Sequence, residues 1–574
     1  MIAMAKPNSA ESEENDRVEN NHEDTWRPPG ELVIKSLLAV RLASAIFGVI
    51  SYNNDEVFNN LEPLHMLIHG EGFQTLEYSP TYAKGSYFFL LPYYFWAYFF
   101  ASQALFSKIA QLMMVRLLVG GFCLGGEYYA YTVICKRFTI SAGRLFLFFS
   151  IFSAGMFQES VKLSQSSFGM ACLFYFIGTY LSGKCTRSIA LITLSTLAGC
   201  PFNVIFIAPL LCMCCMYGRG LYFFVVSIFA ALYFSGAQIT LNSYYYYGKF
   251  MFPDKPNLAV DKIFSPEISS EALTQTFWFY VYNIGSNWNI ASIFALLSFP
   301  LLFLSRKPKE THTPFSILIY WTGFCFLVSL LVSKDVMLTT SFYPFIAFLA
   351  AVACELFLLG NKWESLNRIL YWLLAIYALL SGMRIISLIQ GYGAHIEIYK
   401  SFNKEMFVHQ DFDSFNNPIR LCTGKEWHRF PSSFFIPDEA FDGLAQSRPI
   451  EMIFTESNYY GPFPSKFFKL NRTVYINDDR TEITRHVEPD IRFFKTENST
   501  YDSMDSCDYF IDVDYPENGK EQNLKEMVLS LALFFLIINL FDFAARTVEA
   551  NRITACDEQT NISNRLAHFS CSLR

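Results

Sequence analysis

Two adjacent carboxylates, Asp55 and Glu56, open a polar loop at residues 51–87, SYNNDEVFNNLEPLHMLIHGEGFQTLEYSPTYAKGSY, directly after the first apolar stretch of the chain. A carboxylate beside an acceptor hydroxyl takes its proton as a new bond forms, which is the task of a general base in group transfer. The same pair also suits the first turn of an interfacial helix, where acidic side chains favour the positive end of the dipole. Glu62, His65 and His69 follow at spacings of three and four, on one helical face. Two histidines four apart can ligate zinc, but no third and fourth ligand can be pointed to, so no metal is expected. An interfacial helix with its histidines toward the headgroups is the reading that spacing favours.

Composition says what must carry that loop. The 574 residues are 52% hydrophobic and 18% aromatic, with 60 Phe and 33 Tyr, and the mean hydropathy is +0.25. That exceeds the apolar surface a soluble domain hides, so a polytopic membrane protein is expected. A formal charge of −7 with no basic tract argues against nucleic-acid binding. Residues 1–31 are polar, lack the charged-then-apolar order of a cleavable signal, and read as a disordered cytoplasmic tail before a signal-anchor span.

Hydropathy predicts spans near 32–50, 109–135, 145–160, 166–183, 188–216, 221–238, 290–304, 314–332, 341–360, 366–388 and 526–545, against the ~20 residues a crossing helix needs. Lys136, Arg137 and Arg144, Lys184 and Arg187, Arg219, Arg306 with Lys307 and Lys309, and Lys362 with Arg368 all belong on the cytoplasmic side. One arrangement satisfies them: 87–106 packs on the membrane without crossing, and 188–216 crosses twice, turning at Gly199-Cys200-Pro201-Phe202. Loops 51–108, 239–289, 333–340 and 391–525 then share the lumenal face. The predicted domains are a tail at 1–31, a transmembrane domain at 32–390 with the loop 51–108, a lumenal domain of mixed α/β character at 391–525, and a last span with a cytoplasmic tail at 526–574.

Further expectations follow from this layout. The sequons at Asn471 and Asn498 are expected to carry glycans, and that at Asn561 to stay bare. Cys422 and Cys507 alone fall in the lumenal regions, which makes them a disulfide candidate in an oxidising compartment. Arg41, Arg116 and Glu127 lie within apolar spans, and a structural Arg–Glu pair is favoured over a substrate contact. The tract Tyr244-Tyr245-Tyr246-Tyr247 fits an aromatic belt as readily as a sugar-stacking surface. No P-loop, dinucleotide-binding glycine pattern or nucleophile elbow occurs.

Particular runs carry a resemblance. Asn54-Asp55-Glu56-Val57-Phe58-Asn59, Glu62-Pro63, His65, Gly70-Glu71-Gly72-Phe73-Gln74-Thr75, Glu77-Tyr78-Ser79-Pro80 and Ser86-Tyr87 are similar to the first lumenal loop of the dolichyl-phosphate-mannose-dependent alpha-mannosyltransferases. Within that family the chain resembles the alpha-1,2-mannosyltransferases of N-glycan precursor assembly. Lys35-Ser36-Leu37-Leu38 with Arg41-Leu42, Ser166-Ser167-Phe168, Ser243-Tyr244-Tyr245-Tyr246 with Gly248-Lys249, and the specific run Gly424-Lys425-Glu426-Trp427-His428-Arg429-Phe430-Pro431-Ser432-Ser433-Phe434 agree. The resemblance covers about 32–515.

It implies an α-helical polytopic bundle of GT-C type in the endoplasmic reticulum membrane and a metal-independent, inverting transfer. The donor would be dolichyl-phosphate-mannose and the acceptor a lipid-linked oligosaccharide, with no cofactor. Asp55 matches the family's loop acid and takes the role of base, with Glu56 in support. Lys334 falls at the family's His-Lys-Glu loop, suited to the departing phosphate, with Lys249 and Arg384 as other phosphate candidates. Glu62, Glu77 and Tyr78 are candidates for the acceptor or for shaping the loop. The chain departs from the family at Asn53 and Asn242, where acids are usual, and at Ser333-Lys334-Asp335-Val336-Met337, where a histidine and an arginine are missing. A second reading is therefore a non-catalytic scaffold or lipid carrier on the same fold, and a third is a mannosyltransferase acting on another lipid-linked acceptor.

Overall fold

The computed structural model describes residues 26–50, 56–74, 78, 85–101, 107–247, 277–304, 313–332, 337–360, 364–406, 418–423, 430–441, 447–454, 465–466, 507–513 and 567–571. The helix α1 (Gly30–Phe47) buries Val33, Leu37, Arg41 and Ser44 at helical spacing. It turns Leu38, Leu42 and Ile46 outward, as a helix between protein and lipid does. After the loop helix α2 (Glu62–His69) and α3 (Tyr87–Ala101) comes α4 (Lys108–Arg137), started by Ser107, whose side chain accepts from the Ala110 N–H, and closed by Lys136 and Arg137. Its 30 residues reach about 45 Å at 1.5 Å per residue, more than a bilayer core.

The sequence-predicted 145–160 is a helix broken in two. α5 (Ile140–Phe152) ends at Ser153, and the same serine caps α6 (Ala154–Glu159) through the Met156 N–H. α7 (Gln165–Leu181) is capped by Ser164 and leads to α8 (Cys185–Leu194). A π-helical turn at 195–199, extended Cys200 and a 3-10 stretch from Pro201 then lead to α9 (Ile207–Met216). The outward and return limbs meet again, because the Thr186 and Tyr222 hydroxyls lie 2.6 Å apart. Residues 188–216 therefore go out and come back, turning where Gly199 lies against Gly169 at the start of α7.

Beyond α10 (Gly220–Tyr247), the helix α11 (Phe277–Leu304) starts well before the predicted 290, with a kink at Asn289. The polar run Asn283 to Asn289 hid this helix from hydropathy. Its amides are bonded instead: Asn287 Nδ2 donates to Asn283 Oδ1 at 2.6 Å and to the Tyr343 hydroxyl at 3.2 Å, and Asn289 to Ser381 Oγ at 3.2 Å. α12 (Thr313–Val332), α13 (Met337–Gly360), α14 (Glu364–Tyr392) and α15 (Ala394–Met406) complete the helices. Among the described residues, Lys108–Arg137, Gly220–Tyr245, Val281–Leu301, Thr339–Phe357 and Asn367–Gly391 are long and apolar enough to cross a membrane.

β1 (Phe73–Gln74) in the loop pairs antiparallel with β5 (Ser465–Lys466), and the C-terminal part is a five-stranded sheet in the order β3-β4-β2-β6-β7, from β2 (Ile419–Thr423), β3 (Glu439–Phe441), β4 (Ser447–Phe454), β6 (Tyr509–Val513) and β7 (Ala567–Cys571). β2 runs parallel to β4 and β6, and β7 parallel to β6, with only β3 antiparallel. Cys422 on β2 and Cys507 beside β6 form a disulfide, with Cα atoms 5.9 Å apart. β7 follows the stretch 514–566, which holds the expected last span at 526–545. That stretch, with Asn471, Asn498 and Asn561, lies outside the described residues.

Candidate active site

Asp55 lies outside the described residues, and its neighbour Glu56 is the first described residue of the loop. Glu56 is 1% exposed, and its Oε1 is 3.9 Å from Arg116 Nη2. The same guanidinium donates to the Gly48 carbonyl at 2.5 Å and to Ala45 O at 3.3 Å. Arg116 thus satisfies carbonyls left open at the C-terminal end of α1 and holds the acidic start of the loop against that end. About three turns further along α4 (Lys108–Arg137), Glu127 pairs with Arg41, a buried Arg–Glu pair of the kind the sequence favoured. Arg41 Nη2 donates to Glu127 Oε1 at 2.5 Å and Nε to Oε2 at 3.1 Å, and the remaining donors reach Met156 O and Ser150 O.

The floor below the loop is the 156–167 segment. Gln158 donates to the Val49 carbonyl, and Val161 packs against Gly48. Glu159 binds Lys162 Nζ at 3.5 Å and accepts from Ser167 Oγ at 3.1 Å. Lys162 is 8% exposed, and sequence reading missed it because a single lysine between two apolar residues forms no pattern. Tyr343 lies within electrostatic reach of both Glu159 and Arg384, so the one described phosphate candidate, Arg384, is on α14 (Glu364–Tyr392) near this floor. Lys249, Lys334 and Glu77 lie outside the described residues.

Glu62 and Tyr78 do not stand open to an acceptor. Glu62 Oε1 accepts from Ser432 Oγ and from the Ser433 N–H, both at 2.7 Å, and Oε2 from Ser433 Oγ at 2.8 Å and the Phe73 N–H at 2.9 Å. Burial raises its carboxyl above the ordinary carboxylate range, and the donated hydrogen bonds pull the other way. Ser432 holds φ 135°, a strained conformation for a serine, kept where this cradle fixes it. Tyr78 donates to Asn59 O at 2.9 Å, and its ring covers Gly85, where a Cβ would come within 2.4 Å. Both residues shape the loop rather than line it.

The histidine face is an interface as well. His65 Nδ1 lies 2.6 Å from Glu71 O, His69 Nε2 lies 2.9 Å from Gln111 Oε1, and the two rings are 4.6 Å apart beside Phe434. Burial first, then the Lys108 charge, lowers both histidines below their ordinary 6.5, His65 far below. Lys108 pairs with Asp438 of the C-terminal part. No group of three or more His, Cys, Asp or Glu able to hold a metal occurs among the described residues. Asp-x-Asp spacing, which the sequence reading took to be absent from the lumenal loops, does occur at Asp411–Asp413 and Asp512–Asp514, and of these only Asp512 is described.

On the other side of the loop, the Phe88 N–H donates to Asn242 Oδ1 at 3.0 Å and the Tyr87 ring stacks on Tyr245 at 5.0 Å. The end of the tyrosine tract is therefore helical and packs beside the loop, with Tyr244 exposed. α3 (Tyr87–Ala101) stays at this level: Phe89 meets Phe168 at the start of α7, and Trp96 donates to Met114 O early in α4.

A nematode protein, "Alpha-1,2-mannosyltransferase algn-9" of Caenorhabditis elegans, is 37% identical over 526 residues, covering 88% of this chain and 85% of its own. "Alpha-1,2-mannosyltransferase ALG9" of Homo sapiens is 29% identical over 546 residues, covering 89% and 84%. The protein of that name in Saccharomyces cerevisiae is 26% identical over 497 residues, covering 82% of each. No solved structure matches. Residues 32–437 match one family throughout, from α1 through the loop and bundle to the serines that hold Glu62. The chain belongs to the Alg9-like mannosyltransferase family, and it is a membrane-associated glycosyltransferase.

Proposed function

We propose that this protein transfers mannose from dolichyl-phosphate-mannose, in alpha-1,2 linkage with inversion, to the lipid-linked N-glycan precursor in the endoplasmic reticulum, without a metal. The observation that carries this reading is the seating of Glu56. Arg116 ties it to the end of α1, and Asp55 is its immediate neighbour in the chain. Asp55 is the base, and the acceptor hydroxyl attacks the anomeric carbon as the phosphate departs from the opposite side. A phosphate is a good leaving group that needs no acid, so one base suffices. Lys334, Lys249 and Arg384 are proposed for the departing charge, with Arg384 near the Glu159–Lys162 floor.

The test is transfer in microsomes supplied with dolichyl-phosphate-mannose and lipid-linked acceptor. Asp55→Asn keeps size and hydrogen bonding but removes the base, and is expected to abolish transfer at unchanged expression. Glu56→Gln is expected to lower it less, and added chelator to leave it unchanged, which also tests the two Asp-x-Asp runs. Wild-type transfer by Asp55→Asn, or no transfer by the wild type with any mannose-accepting lipid, would sink the catalytic assignment in favour of the scaffold reading.

A further inference from the structure

At the end of the bundle away from the 51–87 loop, two turns of the chain flank an open cavity of about 560 Å³. Lys184 and Arg187 line it from the turn after α7, and Arg219 from the turn before α10 (Gly220–Tyr247). No carboxylate is among the described residues that line it. The Thr186 and Tyr222 hydroxyls, 2.6 Å apart, join the two turns across the cavity. Two helices begin here, α8 at Cys185 and α10 at Gly220, and Lys184 gives α8 no side-chain cap. Their positive ends add to three cations.

The position of the cavity follows from α4. Lys184 Nζ lies 5.9 Å over the Tyr129 ring, whereas Arg116 meets the loop end of α1. Thirteen residues of helix put these about 20 Å apart along the axis. The bias of cations toward one membrane face accounts for their side. It does not account for three of them, from separate turns, around one cavity with two hydroxyls and no counter-charge. Beside the cavity, Leu221, Phe224 and Ile228 form an exposed apolar stripe along α10, suited to acyl chains rather than water. We infer that this cavity binds the phosphate of an anionic phospholipid in the leaflet opposite the loop. Guanidinium groups grip phosphate by paired N–H donors, and basic pockets between membrane helices suit such headgroups.

The test uses the purified full chain in detergent, titrated with dioctanoyl phosphatidic acid, dioctanoyl phosphatidylcholine and inorganic phosphate. Phosphatidic acid is expected to bind in a salt-sensitive way and far more tightly than the other two. Arg187→Gln or Arg219→Gln should each weaken it about fivefold, from the roughly 1 kcal/mol a surface cation contributes, while Arg219→Lys should recover most of the loss. The double variant Thr186→Val, Tyr222→Phe keeps every charge and fold-bearing contact of the cations, and should still weaken binding severalfold. Equal binding of phosphatidylcholine would reduce the site to acyl contact. Inorganic phosphate binding as tightly as phosphatidic acid would replace the lipid with a free anion, and phosphatidic acid binding indifferent to all these variants would remove the site.

Discussion

Glu62 accepts four hydrogen bonds from three different residues, two of them 370 and 371 positions away in the chain. Removing the carboxylate leaves those four donors buried and unmatched, each at a cost of about 1 kcal/mol or more, so Glu62→Ala should destabilise the protein by roughly 4 kcal/mol or more. Ser433→Ala removes one hydroxyl and should cost about 1 kcal/mol. Thermal unfolding in detergent checks the order, and an unchanged midpoint in Glu62→Ala would show that the cradle contributes nothing. At this scale the sequence was legible where burial forces a partner. Arg41 and Glu127 within apolar stretches required one another, and the structure pairs them. The sequence was misleading where a partner is distant. A glutamate in line with two histidines looks locally like a ligand set, and nothing near it announces Ser432 and Ser433.

The elements repeat that lesson. The turn the sequence placed at Gly199-Cys200-Pro201-Phe202 follows from residues that do not continue a helix. The start of α11 was hidden because its asparagines satisfy each other and Tyr343 within the bundle, which a hydropathy average counts as loop. Two predictions belong here. With His65 and His69 held below 6.5, the unfolded chain takes up protons near that pH while the folded chain does not. Their contribution is then complete above pH 6.5 and is lost as pH falls from there through the folded values. The unfolding midpoint should drop between pH 7.5 and 5.5, and His65→Gln with His69→Gln should flatten that drop; an equal drop in the variant would assign it elsewhere. The Cys422–Cys507 bond closes a loop of 85 residues, so Cys422→Ser with Cys507→Ser should cost roughly 2–5 kcal/mol. Non-reducing peptide mapping that recovers two free thiols would contradict the bond.

For the whole molecule, composition and charge placement were enough for a polytopic helical bundle with its basic turns at one end. Thr139, next to Lys136 and Arg137, bonds Glu355 at the end of α13, while Lys184, Arg187 and Arg219 share a cavity. The path after β6 rests on the apolar run at 526–545, long enough for a crossing and outside the described residues. Glycosidase treatment decides the arrangement: Asn471→Gln and Asn498→Gln should each remove a mobility shift, and Asn561→Gln should migrate like the wild type. A shift lost in Asn561→Gln would put Asn561 on the same side of the membrane as the other two and overturn the single crossing at 526–545. The cradle around Glu62 also sets a clock. At 5–20 residues per second the ribosome needs roughly 20–70 s after making Glu62 to deliver Ser432. During that interval the first helices are already in the membrane with a naked glutamate at their mouth. A chain stopped by a premature codon before Ser432 keeps most of its bundle, and presents to the cell's quality control a loop that nothing can close.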